Sequence, residues 1–220
     1  MPVFFQRIVL LGLVGAVLCR PADAQEEYRI DPARSEFVVQ LFKTGIGSAL
    51  AHDHVVRATA YSGRIHSAVS EPSAVTITVE VQAASLQADE PDVRRKYGLT
   101  AVLSEQERQE IQTTMASPQQ LAIAQYPTLL FRSTQVEKHP EEGYRVTGEL
   151  TIRGVTRAVR FPVRIECRDG SIHAWGAIRF QQSSFGYEPY SALFGAVRNQ
   201  DEALLHFDMI ALPSSCGSTP

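Results

Sequence analysis

Apolar and polar residues alternate with a period of two along much of the chain. Phe37, Val39 and Leu41 interleave with Val38, Gln40 and Phe42, and Val75, Ile77, Val79 and Val81 interleave with Thr76, Thr78, Glu80 and Gln82. The same spacing recurs at Leu129 and Phe131, at Val146, Leu150 and Ile152, and at Val159, Phe161, Val163 and Ile165. It returns at Ile172, Ala174, Gly176, Ile178 and Phe180, and last at Leu205, Phe207 and Met209. Successive side chains of a strand point to opposite faces, so each run reads as a half-buried strand. With His54 to Ile65 added, the pattern predicts eight strands. Short turns at Arg153-Gly154 and Arg168-Asp169-Gly170 make sequence neighbours antiparallel. The fold class is all-β, a sandwich or a barrel. If the strands close a barrel, Phe37, Val39, Leu41, Ile77, Val79, Phe131, Phe161 and Val163 line its lumen, together with Phe180 and Phe207. A slip of one residue would invert that assignment.

Two segments break the alternation. From about 87 to 125 the chain is rich in Glu, Gln and Arg. Ser104-Glu105-Gln106-Glu107 has the form of a capping box, and Ser117-Pro118-Gln119-Gln120 sets a cap, a first-turn proline and a glutamine in order. Two short helices are predicted, over 105–116 and 118–124, covering one end of the β-structure. The second segment, 183–200, carries Phe185, Tyr187, Tyr190, Leu193 and Phe194 among glycine and proline. Such loops serve as binding loops or lids, or plug the end of a core.

Composition narrows the field. The 220 residues are 44% hydrophobic with a net charge of −3, which excludes a basic nucleic-acid binder. Arg7, the apolar run Ile8 to Cys19 and Ala22-Asp23-Ala24 have the layout of a secretory signal peptide with cleavage after Ala24. Residues 25–220 then form one domain, ending in a Ser/Gly/Pro tail over 213–220, in a periplasmic or secreted protein. Export leaves Cys167 and Cys216. A bridge between them would contribute about 4 kcal/mol in the chain-entropy model, and two free thiols are the equal alternative.

The sharpest local feature is His52-Asp53-His54. Two histidines at strand spacing share a face and could converge on one metal ion, with His173, His206 or Asp208 as further ligands. The other reading is a polar cluster at a barrel mouth. There Asp53 bonds the local backbone and the imidazoles meet a ligand's polar end. Phe185, Tyr187 and Phe194 would flank that mouth. Asp89/Glu90 reads as a solvated face. No hydrolase elbow, phosphate loop, metalloprotease helix or Cys-x-x-Cys pair is present, so the sequence shows no catalytic motif. An apolar lumen needs none: each buried CH₂ is worth about 0.8 kcal/mol, so one isoprene unit gains roughly 3–4 kcal/mol before costs.

Four ordered motifs carry a family resemblance. Tyr28-Arg29-Ile30-Asp31-Pro32 with Ser35, and Tyr126-Pro127 followed by Phe131-Arg132-Ser133, resemble elements of the YceI-like domain. Gly148-Glu149-Leu150-Thr151-Ile152-Arg153-Gly154-Val155-Thr156 resembles its most distinctive run, and Ser184-Phe185-Gly186 its last Phe-Gly element. The resemblance implies an eight-stranded lipocalin-like antiparallel barrel in the periplasm. It implies a non-enzymatic carrier for a polyisoprenoid, isoprenoid quinone or fatty amide, with no cofactor beyond such a bound lipid. Two other readings stay open: a metal-binding protein or metal-dependent enzyme centred on His52 and His54, and an accessory protein of a membrane redox or transport complex docking through the 183–200 loop. A monomer and a homodimer fit equally. The family often carries a histidine in the first long strand, where this chain has Gln40-Leu41-Phe42.

Overall fold

A computed structural model of the chain describes residues 25–68, 71–141 and 143–214. The signal-peptide segment 1–24 and Cys216 lie outside the described residues, as do residues 215–220 of the tail. The strands are β1 (Gln25–Ile30), β2 (Glu36–Thr44), β3 (His54–Ala58), β4 (Tyr61–Ala68), β5 (Glu71–Gln82), β6 (Leu86–Ala88), β7 (Thr128–His139), β8 (Gly143–Ile152), β9 (Val155–Arg168), β10 (Ser171–Gln181), β11 (Ser191–Ala192) and β12 (Val197–Pro213). Two helices, α1 (Pro91–Lys96) and α2 (Glu105–Ala116), stand between β6 and β7.

The first six strands are three long staves, each broken once. β1 pairs with β4 and β2 with β3, while β4 pairs with β5 and β3 with β6. β5 then pairs with β7, and β7, β8, β9, β10 and β12 follow in order. β12 returns to the first stave, meeting β2 through Arg198–Asp208 and β1 through Ala211–Pro213. The result is a closed eight-stranded antiparallel barrel whose staves neighbour one another in chain order. Closure removes the free edges that an open sheet would expose, except at the short strand β6. Where the first stave breaks, the Ser35 hydroxyl accepts from the Ile210 amide at 2.9 Å and so stands in for a ladder carbonyl. The run His54 to Ile65, expected as one strand, breaks at Thr59-Ala60.

Alternation decides which face is inside. Ile30, Ile65, Val79, Val146, Phe161, Val163, Ala174, Ile178 and Met209 form the inner cluster, while the neighbouring Arg160, Arg164 and Glu166 face outward. A barrel that spans a membrane has the reverse pattern, apolar outside and polar within. β7 carries a bulge between Ser133 and Gln135, so its inward positions pass from Leu129 and Phe131 to Val136. Two-residue turns with positive φ at both positions, Arg153-Gly154 and Asp169-Gly170, join β8 to β9 and β9 to β10.

Long connections collect at one end, the top. They comprise residues 45–53, 89–127 and 182–196, and the Asp169-Gly170 turn lies at the opposite end. α2 begins at the expected capping box: the Ser104 hydroxyl accepts from the Glu107 amide at 3.2 Å, and the Ser104 amide donates back to the Glu107 carboxylate at 2.7 Å. Gln112 straps α2 to the outer edge of β6. Its carbonyl accepts from the Ala88 amide and its amide donates to the Leu86 carbonyl, at 2.9 and 2.7 Å. One side-chain amide thereby completes the ladder of an edge strand.

Three expectations for the insert need correction. The segment 118–124 is a series of turns, because Ala122 adopts a left-handed conformation (φ 47°) and its amide closes back on the Ser117 carbonyl. Gln87 and Ala88 belong to β6 rather than to the insert. The helix over Pro91–Lys96 was not expected from the sequence. It packs on the outside of the barrel, where Val93, Tyr97 and Leu99 cover Val38 and Val55.

Tyr97 also lies against His206, with ring centroids 5.1 Å apart. Burial, helped by the charge of Arg179, holds the His206 imidazole below its ordinary value. A histidine with a depressed folded pKa binds its proton more readily unfolded, so its stabilisation is present above pH 6.5 and is lost as pH falls below it. Stability is expected to decline on acidification through this range. Urea denaturation of His206→Gln should show a shallower decline, and an unchanged slope would refute the assignment.

Candidate ligand-binding site

The barrel is hollow. A cavity of about 350 Å³ runs from Val75, Cys167 and Ile172 at the bottom to Val39, Leu86 and Phe180 near the top. Its wall is aliphatic and aromatic, and the Tyr144 hydroxyl and the Cys167 thiol are the polar side-chain groups on it. The structure places Phe37, Val39, Ile77, Val79, Phe131, Phe161, Val163, Phe180 and Phe207 on this wall. Leu41, expected beside them, lines the second cavity above. Phe131, Phe161 and Phe207 form a band, with successive ring centroids 5.6 and 5.8 Å apart.

Two inward glycines keep that band against the wall. A Cβ on Gly148 would lie 2.6 Å from the Phe131 ring and 2.5 Å from the Arg132 carbonyl oxygen. One on Gly176 would lie 2.9 Å from the Phe207 ring and 2.7 Å from the Pro162 carbonyl oxygen. The rings lie where those side chains would stand, and the space inward of them stays open. Gly176→Val is therefore expected to drive Phe207 into the lumen, lowering stability by about 1–3 kcal/mol. Thermal melting and the capacity for an apolar fluorophore check this, and an unaltered capacity would count against it.

Above the lumen lies a second cavity of about 500 Å³. Val39, Leu86, Leu129, Ile152 and Phe180 belong to both walls, so the two spaces adjoin. The upper wall is mixed. Leu41, Leu103, Ile111, Met115 and Leu121 supply apolar surface, and His52, His54, Glu107, Glu110, Gln182, Tyr187, Tyr190 and Asn199 supply polar groups. A long apolar tube thus ends in a polar chamber beneath α2.

One of these polar groups, His54, is held by a buried network that sequence reading missed. The His54 Nδ1 lies 2.7 Å from the Asp89 carboxylate. Asp89 is fully buried, where it also accepts from the Val55 amide at 3.2 Å and from the Arg94 guanidinium at 2.5 Å. Arg94 is itself 4% exposed and donates further to the Asp53 and Ala101 carbonyls. Burial pushes the Asp89 carboxyl up, but His54, the Val55 amide and Arg94 outweigh it and hold it below its ordinary value. The reading of Asp89 as a solvated face is thus overturned, and Glu90 pairs with Arg57 at 2.7 Å. Asp-Glu-Pro before a helix with Arg94 in its first turns was the available signal. Asp53 bonds the backbone, accepting from the Lys43 amide at 2.7 Å.

His52 precedes β3 and stands near Glu107, whose carboxyl is lowered by its bonds to Ser104 and by the charge of His52. The further ligands considered for a metal do not converge on this pair. His173 pairs with Asp208 and His206 with Gln40, both on the outer face. Among the described residues, no group of three or more His, Cys, Asp or Glu comes together at metal-ligand spacing. Of the aromatics expected at the mouth, Tyr187 lines the chamber and burial raises its phenol. Phe185 does not: it is 1% exposed and packs edge-on against Phe180 beside Leu150 and Ile152, plugging the core. Phe194 is wholly exposed and lines neither cavity. Cys167 is exposed at the end of β9.

Comparison with known proteins bears on this architecture. The family model for the YceI-like domain matches residues 28–211. The chain belongs to the YceI-like family. Among solved structures, BcnA of Burkholderia cenocepacia is 17% identical, with a TM-score of 0.59 over 82% of this chain and 98% of its own. A polyisoprenoid binding domain from Saccharophagus degradans, implicated in plant cell wall breakdown, is 11% identical, with a TM-score of 0.55 over 85% of this chain and 98% of its own. At these identities the likeness is one of fold, the YceI-like barrel. No curated protein matches the sequence.

Proposed function

We propose that this protein binds and carries a long amphiphile, with an isoprenoid or similar apolar tail in the lumen and a polar head in the chamber above. The observation that carries the reading is the continuity of an apolar tube with a polar chamber through five shared wall residues. The fold of the Saccharophagus polyisoprenoid binding domain supports it. A preformed apolar cavity with a few convergent polar groups is the usual form of a small-molecule site. The protein acts as a binder rather than an enzyme, exported to the periplasm or secreted, as the composition of its first 24 residues supports.

The chamber chemistry selects among head groups. Glu107 and Glu110 share its wall with His52, His54 and two tyrosines. The carboxylates disfavour a phosphorylated or carboxylate head, since like charges close together are costly. The hydrogen-bonding groups suit an alcohol, a quinone carbonyl or an amide. Native mass spectrometry of protein purified from its own cell envelope is expected to show a bound neutral lipid. Recovery of an empty protein that takes up no added prenol, isoprenoid quinone or fatty amide would refute the proposal.

A further inference from the structure

Six large apolar side chains are exposed among the described residues: Ile46, Val102, Tyr190, Leu193, Phe194 and Leu212. All but Leu212 lie on the three connections at the top end. Ile46 and Phe194 are 99% and 113% exposed, so neither makes appreciable contact with the rest of the fold. The tips surround the chamber. The Gly47 amide donates to the Ala196 carbonyl at 2.8 Å, which sets the Ile46 turn beside the Leu193-Phe194 turn. Leu103, next to Val102, and Val197, just past the Phe194 turn, both line the chamber, as does Tyr190 itself.

The backbone holds the most prominent tip outward. Leu193 and Phe194 both have positive φ, 50° and 54°, a conformation disfavoured for residues with bulky side chains. Two successive left-handed residues turn the leucine and phenylalanine away from the barrel instead of back over its mouth. The outward position therefore follows from the backbone conformation.

We infer that the top rim is a docking surface for a lipid bilayer, into which Ile46, Leu193 and Phe194 insert while the chamber opens toward the lipid phase. This rests on the proposed function, because the bilayer is the reservoir of a ligand too apolar to reach the lumen through water. A second copy of the chain fits the rim less well. A stable protein interface needs about 800 Å² of continuous, complementary surface per partner, whereas these tips stand on separate connections around an opening. A bilayer requires no such continuity, since each apolar tip partitions on its own. Arg198, exposed at the start of β12 and in no ion pair among the described residues, lies at the same end and offers an anionic headgroup a cationic contact, with Glu188 on the adjoining connection as its counter-charge.

Co-sedimentation with mixed phosphatidylcholine and phosphatidylglycerol vesicles tests the inference, alongside uptake of a dansyl-labelled geranyl probe in vesicle-free solution. The full-length chain should partition onto vesicles. Ile46→Ser/Leu193→Ser/Phe194→Ser should partition at least about 100-fold less, with its melting temperature and probe affinity unchanged, because none of the three side chains lines a cavity. A triple variant that sediments like the wild type would overturn the inference. So would a wild type that takes up the probe but ignores vesicles, an outcome that leaves the binding function standing. Self-association abolished by the triple variant, without vesicle binding, would assign the rim to a second copy. Failure to take up the probe at all would remove the binding function, and the docking inference with it.

Discussion

Replacing Asp89 with asparagine is expected to destabilise the protein by about 3–5 kcal/mol at neutral pH, the range found when one partner of a buried ion pair is removed. The magnitude follows from what would remain. The Arg94 guanidinium, 4% exposed, would keep its charge in the interior with only carbonyls and a neutral amide around it. His54 would lose the carboxylate that orients its ring, and the Val55 amide would depend on the new side chain's rotamer. The pH dependence has a definite sign. Asp89 has a folded pKa below its ordinary value of 3.8, so its stabilisation is complete above that value. It is lost as pH falls through 3.8 toward the lower folded value. Urea titrations at neutral and acid pH check both effects. A loss under about 1 kcal/mol would mean that the network is not what holds the insert to the barrel. Asp89→Leu/Arg94→Met, which removes both charges, should recover part of the loss, because apolar replacements leave no stranded charge.

Filling the lumen should have the largest effect on binding. Ile77 stands midway along the wall and Val75 lies on the same strand nearer the bottom. An indole at Ile77 would displace about four methylenes of a ligand tail, worth roughly 3 kcal/mol at 0.8 kcal/mol each, or about 200-fold in affinity. Ile77→Trp is therefore expected to weaken binding of long prenols by that order while short ones lose less. Val75→Trp should penalise only the longest tails, since it closes the bottom alone. Fluorescence titration with prenols of graded length reads the cut-off directly. Equal losses at every length would show that the tail does not run down the barrel.

The pattern of alternation went far toward this picture. Each of the eight runs read from spacing falls in one stave, and within a run the alternate apolar positions share the inner face, because the pleat alone decides which side chains share a face. The capping box at Ser104 was equally local and appears as expected. Where readings failed, a distant partner had intervened. Pro118 begins a plausible helix, but Gln120 donates to the Glu188 carbonyl across the chamber and Ala122 reverses the chain. For Phe185 the sequence allows a mouth aromatic or a core plug, and Leu150 and Ile152 beneath it decide for the plug.

The sequence by itself determined most of the local quantities: the long strands, which residues of each share a face, the tight turns, the start of α2, and family. Those depend on contacts within a few residues, or on motifs whose order survives without coordinates. Alternation left sandwich and barrel open and only the family resemblance implied a barrel; tertiary structure decided that the sheet closes, that glycine-backed rings leave its centre hollow, and that Asp89, Arg94 and His54 meet. Closure depends on β12 pairing with the first stave across the whole length of the domain. The burial of Asp89 depends on β3, α1 and the 99–104 loop arriving together. Burial is a property of everything packed around a group, and a linear pattern carries only its nearest part.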